Sequence, residues 1–323
     1  MLKIGILGAA GIAPAAVIAP ASRRSDTEIL AVASRSGDSA TAYAERFGIE
    51  RAYEGYEALL ADKDITLVYN ALPPSEHAKW SIAALEAGKN VLCEKPFALT
   101  ASQARTMVEA ASANGVRIIE AFHDYYHPLS GDARDLVVRR ELGGLQHIEA
   151  EFFAAIPFDP ASLRHDPKLG GGALMDLGCY PVHWVRTIVG EEPVVVDAQA
   201  ELNELGADME ITAHLRFPSG TTAMISAGMG LAEGQRNSLR LIGSAGTATY
   251  TNVVFPTGGH TIHTEVQGIS TDRTVAGLAT YDHQLEAVIE GLSSGHPLPT
   301  EGRDSIDNLS VIEAIYRTAG TTR

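Results

Sequence analysis

The chain has 323 residues, 45% hydrophobic and 20% charged, which is apolar enough for two packed domains and argues against global disorder. Its 25 Lys and Arg stand against 40 Asp and Glu, and the resulting net charge of −15 argues against a nucleic-acid or membrane-surface partner. Two cysteines, Cys93 and Cys179, are too few for a disulfide framework and point to a reducing, cytoplasmic setting; no spacing matches a zinc site, so no metal is expected.

The segment Lys3–Ala21 imitates a secretory leader, but Gly5, Gly8, Gly11, Pro14 and Pro20 interrupt it. It reads instead as a strand Lys3–Leu7, a turn of small residues, and a helix opening near Ile12 with Pro14 in its first turn. A strand over Glu28–Ser34 follows, then a helix Asp38–Phe47 stopped by Gly48, and a short helix Tyr56–Ala61. Strand Ile65–Asn70, helix Ser75–Ala87, strand Asn90–Cys93, a helix capped by Thr100 and Gln103, and strand Val116–Glu120 complete the alternation. Continuous apolar strands between helices predict a parallel, doubly wound α/β sheet. After a boundary near Glu120–His127 the pattern turns to strands with little helix: Gln146–Ala155, Val194–Glu201, Met209–Phe217, Thr221–Met229, Leu239–Ile242, Thr247–Asn252 and Thr261–Val266. Met209–Phe217 alternates polar and apolar residues, as a strand with one open face does. Helices Tyr281–Leu292 and Arg303–Ala319 close the chain. The expected organisation is a nucleotide-binding domain over 1–122 and an α+β domain over 123–323, built on a large, mainly antiparallel open sheet. The terminal helices have the option of packing back on the first domain.

The first strand delivers Gly8-Ala9-Ala10-Gly11-Ile12-Ala13, an imperfect dinucleotide fingerprint in which Ala10 replaces the middle glycine. Backbone amides over Gly8, Ala10, Gly11 and Ile12 would face a pyrophosphate. About 26 residues past Gly8, where an acidic residue would select NAD, stand Ser34-Arg35-Ser36. A guanidinium and two hydroxyls suit a 2′-phosphate, so NADP is favoured over NAD.

Lys95, in Cys93-Glu94-Lys95-Pro96, follows the fourth predicted strand, and ligands of open α/β sheets lie beyond the carboxyl ends of strands. Downstream, Gly170-Gly171-Gly172 precedes Ala173–Tyr180, where helical spacing puts Asp176 and Tyr180 on one face, with Pro181 disturbing the helix. His123 and His127 flank Asp124, but Pro128 argues against a regular helical metal pair.

Glu94-Lys95-Pro96, the run Gly170–Tyr180, Asn70-Ala71-Leu72-Pro73 with His77, and the stretch Thr280–Gly320 resemble the glucose–fructose oxidoreductase, inositol dehydrogenase and rhizopine-catabolism (Gfo/Idh/MocA) family. The likeness is strongest to its aldose (xylose) dehydrogenase and dimeric dihydrodiol dehydrogenase branch. It implies a Rossmann domain and an NAD(P)-dependent dehydrogenase acting on sugars, polyols or cyclic diols, with Asn70, Leu72, Pro73, His77, Glu94 and Lys95 lining the cofactor. It also implies that Lys95 assists catalysis, Asp176 orients substrate and Tyr180 is the acid/base. A phenol is a poor base at neutral pH, but a nearby ammonium favours its phenolate, and Lys95 would supply that charge. The pattern departs at Ala121-Phe122-His123-Asp124-Tyr125-Tyr126-His127-Pro128, where Tyr125 replaces the usual arginine; His123 and Tyr125 are therefore candidate substrate contacts. Oxidation of an aldose at C1 is favoured, with a trans-dihydrodiol dehydrogenase and a keto-sugar reductase as rivals. The non-enzyme rival is an NADP-binding regulatory protein, and the joint presence of Lys95, Asp176 and Tyr180 speaks for the enzyme. A homodimer or dimer of dimers, paired over the open sheet, is expected.

Overall fold

The computed structural model describes residues 1–321, leaving the last two residues of the expected second domain outside the described residues. Two compact units emerge. The first comprises Met1–Phe122 and Tyr281–Ile306, the second His123–Thr280 and the chain from Asp307 onward. The 123–323 domain read from the sequence therefore loses Tyr281–Ile306 to the first unit, and the last helix, Arg303–Thr318, runs through the division. Ion pairs hold that segment in the first unit: Arg23 meets Asp282 at 2.6 Å and Arg117 meets Glu301 at 2.7 Å.

The first unit is a six-stranded parallel sheet of β1 (Leu2–Leu7), β2 (Thr27–Ser34), β3 (Arg51–Glu54), β4 (Leu67–Asn70), β5 (Asn90–Cys93) and β6 (Ile118–Glu120), in the order β3-β2-β1-β4-β5-β6. The inner strands β1, β4 and β5 are largely buried on both faces, which is why they read as unbroken apolar runs. Helix Gly37–Phe47 ends at Gly48 with φ 68°, and helix Ala101–Asn114 starts with Thr100 Oγ1 accepting from the Gln103 amide at 3.1 Å. The order reverses between β1 and β4, the place where such sheets open a crevice. Register aligns Ala33, Leu7, Asn70, Cys93 and Glu120 in one row across the sheet. Every candidate segment of this unit departs from that carboxyl-end row. The sequence reading lacked β3, a half-exposed edge strand.

The second unit is an eight-stranded sheet of β7 (Leu145–Ala155), β8 (Val194–Leu202), β9 (Asp208–Arg216), β10 (Thr222–Gly228), β11 (Gly230–Gly243), β12 (Gly246–Thr251), β13 (Ile262–Val266) and β14 (Ile269–Arg273). Their order is β14-β13-β12-β11-β7-β10-β9-β8, and only β7 and β10 pair in parallel. In β9, Ile211, Ala213 and Leu215 are buried while Glu210, His214 and Arg216 are exposed, so the alternation in sequence is the alternation of faces. Burying Ile211 and Leu215 contributes about 1.5–3 kcal/mol each. The long helix Cys179–Val189 packs against β7 and β10. The open face carries cross-strand ion pairs, Arg236–Glu151 and Arg240–Glu149. Helix Pro128–Val138, strand β14 and the first half of β11 had no counterpart in the sequence reading.

Candidate active site

The turn after β1 is shaped to receive an anion. Gly8 has φ 96°, which favours glycine, and a Cβ there would also crowd Leu72 Cδ2 at 3.1 Å. Its amide donates to the Ala33 carbonyl at 2.9 Å, while the amides of Ala10, Gly11 and Ile12 have no acceptor among the described residues. Tyr43 Oη donates to the Ala10 carbonyl at 2.9 Å and fixes the turn from helix Gly37–Phe47. The helix expected near Ile12 begins as a π-turn, Pro14–Ile18, before the short α-helix Ala19–Ser22. Unpaired amides at a helix entrance fit a dinucleotide pyrophosphate. At the end of β2, Ser34 is half-buried and Arg35 and Ser36 are exposed. Ser36 caps helix Gly37–Phe47, its Oγ accepting from the Ser39 amide at 3.4 Å, so this hydroxyl also has a structural task. The exposed Arg35 guanidinium, with no acidic residue beside it in the triplet, fits a 2′-phosphate.

The turn after β4 is pinned from within. Asn70 donates to Ser81 Oγ at 3.0 Å and to the His77 carbonyl at 3.3 Å, and its Oδ1 accepts from the Leu72 amide. His77 is fully buried, with Nε2 2.7 Å from the Leu72 carbonyl and Nδ1 3.0 Å from the Pro96 carbonyl. Burial pushes its pKa down to about 4, and a neutral ring donates to only one of these carbonyls. Asn70 and His77 therefore tie the Leu72–Pro73 turn to the segment carrying Lys95. Glu94 is held by Tyr69, whose hydroxyl donates to Oε1 at 2.6 Å. Burial, then the Glu94 charge, drives the Tyr69 phenol well above its usual pKa. Lys95 is half-buried beyond β5, and its peptide to Pro96 is cis. Cys93 is fully buried and its thiol is pushed far up by burial, leaving it inert.

In the second unit the glycine triplet folds against the turn before it. The Gly172 amide donates to the Arg164 carbonyl at 2.8 Å, and a Cβ on Gly171 would lie 2.5 Å from the Leu163 carbonyl oxygen. The same fold brings the Arg164 guanidinium to Asp176 at 3.3 Å. Asp176 sits on a π-turn, Leu174–Gly178, that leads into helix Cys179–Val189, with Tyr180 in its first turn. The chain stays helical from Asp176 to Tyr180, through a π-turn rather than a regular α-turn. Pro181 falls early in the second helix, where it removes no needed bond. Tyr180 is 3% exposed, walled by Phe152 and Trp184, and its hydroxyl lies 3.0 Å from His123 Nε2.

His123, Asp124 and His127 diverge. His123 Nδ1 meets Thr280 Oγ1 at 2.7 Å, Asp124 accepts from the Trp184 indole at 2.6 Å, and His127 caps helix Pro128–Val138 through the Leu129 amide. No group of three or more His, Cys, Asp or Glu among the described residues could hold a metal. Tyr125 carries the Arg134 guanidinium over its ring at 3.8 Å. Tyr69, Arg164 and Thr280 escaped the sequence reading. Tyr69 and Arg164 sit within predicted segments or loops with no motif of their own, and Thr280 was visible only as part of the resembling C-terminal stretch. Among the described residues no helix is long and apolar enough to cross a membrane.

Residues 2–122 match the model of the oxidoreductase family with an NAD-binding Rossmann fold, and residues 131–249 match the GFO/IDH/MocA C-terminal domain. The chain is 33% identical over 320 residues to D-xylose 1-dehydrogenase (NADP(+)) 2 of Haloferax volcanii, covering 99% of this chain and 98% of that one. Its structure is similar to that of an aldose-aldose oxidoreductase from Caulobacter crescentus, with a TM-score of 0.91, 27% identity, and coverage of 99% and 97% of the two chains. It is equally similar, at a TM-score of 0.91 and 29% identity over 98% and 97% of the chains, to a 3-ketoreductase from Actinomadura kijaniata crystallised with NADP and TDP-benzene. A Rossmann sheet with an open amide turn, joined in one chain to this eight-stranded sheet, and matches along nearly its full length lead to one assignment: the protein belongs to the GFO/IDH/MocA oxidoreductase family.

Proposed function

We propose that the protein is an NADP-dependent oxidoreductase that moves a hydride between the nicotinamide and a carbinol carbon of a sugar, with oxidation of an aldose at C1 as its reaction. The observation that carries the sugar is the similarity, over 99% of the chain, to a D-xylose 1-dehydrogenase (NADP(+)). Bound NADP supplies the carbon that accepts or returns the hydride. The chain's own residues do the rest. Ala10, Gly11 and Ile12 amides hold the pyrophosphate, Arg35 with Ser34 and Ser36 holds the 2′-phosphate, and the Leu72–Pro73 turn, Glu94 and Lys95 shape the nicotinamide end. The Lys95 ammonium binds the reacting oxygen and stabilises the charge that develops there. Asp176, turned toward Arg164, orients a neighbouring hydroxyl, and Tyr125 belongs to the same substrate side, whereas His123, a candidate substrate contact by sequence, is fully buried behind Tyr180. Tyr180 takes the carbinol proton as the hydride leaves.

Run in reverse, these groups reduce a keto-sugar, and the 3-ketoreductase likeness makes that the second reading. A spectrophotometric screen of NADP+ reduction across aldoses, inositols and cyclic trans-diols, with NADPH oxidation across keto-sugars, tests the proposal. Turnover with aldoses at a rate above all other classes is expected; NADP binding without turnover on any of them would leave a regulatory protein. We further infer a cytoplasmic homodimer or dimer of dimers, supported by two buried cysteines outside any disulfide and by the open sheet face with its charged ladders. Light scattering that finds only monomer at micromolar concentration overturns the assembly.

A further inference from the structure

Behind the Tyr180 hydroxyl runs a chain of hydrogen bonds that ends on a backbone carbonyl. Tyr180 Oη is 3.0 Å from His123 Nε2, His123 Nδ1 is 2.7 Å from Thr280 Oγ1, and Thr280 Oγ1 donates to the Val254 carbonyl at 3.5 Å. A carbonyl only accepts, so a Thr280 hydroxyl turned toward Val254 gives every bond before it one consistent direction. With its proton given to Val254, Thr280 Oγ1 accepts from Nδ1–H. The neutral imidazole then has a bare Nε2, and Tyr180 donates to it. His123 is fully buried, its ring lies 5.7 Å from the Phe255 ring, and no position of its two nitrogens faces open solvent in this arrangement.

We propose that His123 is a positioning residue and the proton acceptor behind Tyr180, so that the phenol passes a proton through rather than waiting as phenolate. The inference rests on Tyr180 being the acid/base proposed above. In the oxidation, the carbinol O–H breaks and a new O–H forms on Tyr180 Oη. The phenol's original O–H breaks at the same time, and its proton moves to His123 Nε2. The C–H electron pair leaves with its hydrogen as hydride to NADP+, and the carbinol becomes a carbonyl. The imidazolium keeps its Nδ1–H bond to Thr280, which gives the charge an oxygen partner. Once product has left, Tyr180 releases its outward proton to water and recovers the inner one from Nε2.

The first test needs no substrate. Nitrogen-15 NMR of the ligand-free protein, with the His123 signals assigned by their loss in His123→Gln, should show the Nδ1–H tautomer at neutral pH. An Nε2–H tautomer overturns the proposal. Thr280→Val removes the acceptor that fixes the tautomer and should give a mixture; an unchanged tautomer shows that the relay does not set it. The second test is kinetic. Gln keeps an acceptor for Tyr180 and a donor for Thr280 but cannot take a proton, so His123→Gln should lower kcat for oxidation about a hundredfold, with KM and the Kd for NADP+ within about twofold. Wild-type kcat in that variant overturns the relay. Should His123→Gln not fold, assignment through Thr280→Val and the tautomer measurement still decide. Absence of turnover by the wild type on every sugar would sink the proposed function while leaving the tautomer result standing.

Discussion

Tyr69, on β4, donates its hydroxyl to Glu94 Oε1 at 2.6 Å across the end of β5, and both side chains are buried. A carboxylate taken out of water needs such donors, because an uncompensated buried charge costs more than the bond returns. The bond therefore fixes the residue immediately before Lys95. Tyr69→Phe keeps the ring packing and removes only the donor. It should destabilise the protein by about 1.5–3 kcal/mol, the range for hydrogen bonds to charged groups. Urea denaturation with an unchanged slope reads this directly, and a midpoint equal to that of the wild type would show the bond contributes nothing net.

Cofactor choice follows from Arg35. The exposed guanidinium beyond β2 is, on the proposed reading, the charge in Ser34-Arg35-Ser36 that would distinguish NADP from NAD. NADP should bind about ten- to a hundredfold more tightly than NAD, the equivalent of about 1.5–3 kcal/mol for a charge-assisted contact. Arg35→Asp should erase or reverse that ratio, because it replaces attraction by repulsion and offers an acceptor to a ribose hydroxyl. Ser36→Ala is expected to act differently, losing a helix cap as well as a phosphate donor, so its melting temperature should fall along with its affinity. Equal dissociation constants for the two nucleotides in the wild type would count decisively against this assignment.

How much of this was legible from the chain alone depends on the range of the signal. Leu7, Asn70, Cys93 and Glu120 end apolar runs whose neighbours are helices, and strands buried on both faces announce themselves in one dimension. Arg51–Glu54 does not, because an edge strand alternates between half-buried and exposed residues and resembles a loop. Ile269–Arg273 is exposed throughout, so no apolar pattern marks it. Helix Pro128–Val138 is hidden by its cap, an imidazole where a hydroxyl or carboxylate is usual. Asp176 and Tyr180 stand out by type, yet the π-turn beneath them alters the spacing on which their shared face was argued. The bond from His123 to Thr280 joins residues 157 apart in the chain, and no local spacing encodes it.

His77 gives the protein an acid-sensitive limb. Its folded pKa of about 4 lies below the ordinary value of 6.5, because burial penalises the charged ring. Between those values the unfolded chain binds a proton that the folded one refuses. Stability from this group is therefore full above pH 6.5 and declines as the pH falls toward 4, with a slope of at most one proton, about 1.4 kcal/mol per pH unit. His77→Gln keeps a polar side chain without the titration. Its stability should be lower at pH 7 but flatter between pH 6.5 and 4 than that of the wild type. Parallel curves for the two proteins would remove His77 as the source.

The division of labour between Lys95 and Tyr180 gives the most demanding prediction. Tyr180→Phe leaves the ring against Phe152 and Trp184 and removes only the proton carrier. It should lower kcat about a hundred- to ten-thousandfold, the span of general acid/base catalysis, and leave NADP affinity nearly intact. Lys95→Met should cost at least as much, since it removes a hydrogen bond to the reacting oxygen and the positive charge that stabilises it as it develops. If the two groups work as one unit, the double variant should be little worse than either single one, because the second loss removes an interaction already broken. Losses that multiply fully would mean that Lys95 and Tyr180 act independently, with Lys95 only positioning the substrate. Near-normal turnover in Tyr180→Phe would take the phenol out of the reaction altogether, and with it the relay through His123, leaving Asp176 as the remaining candidate for the base.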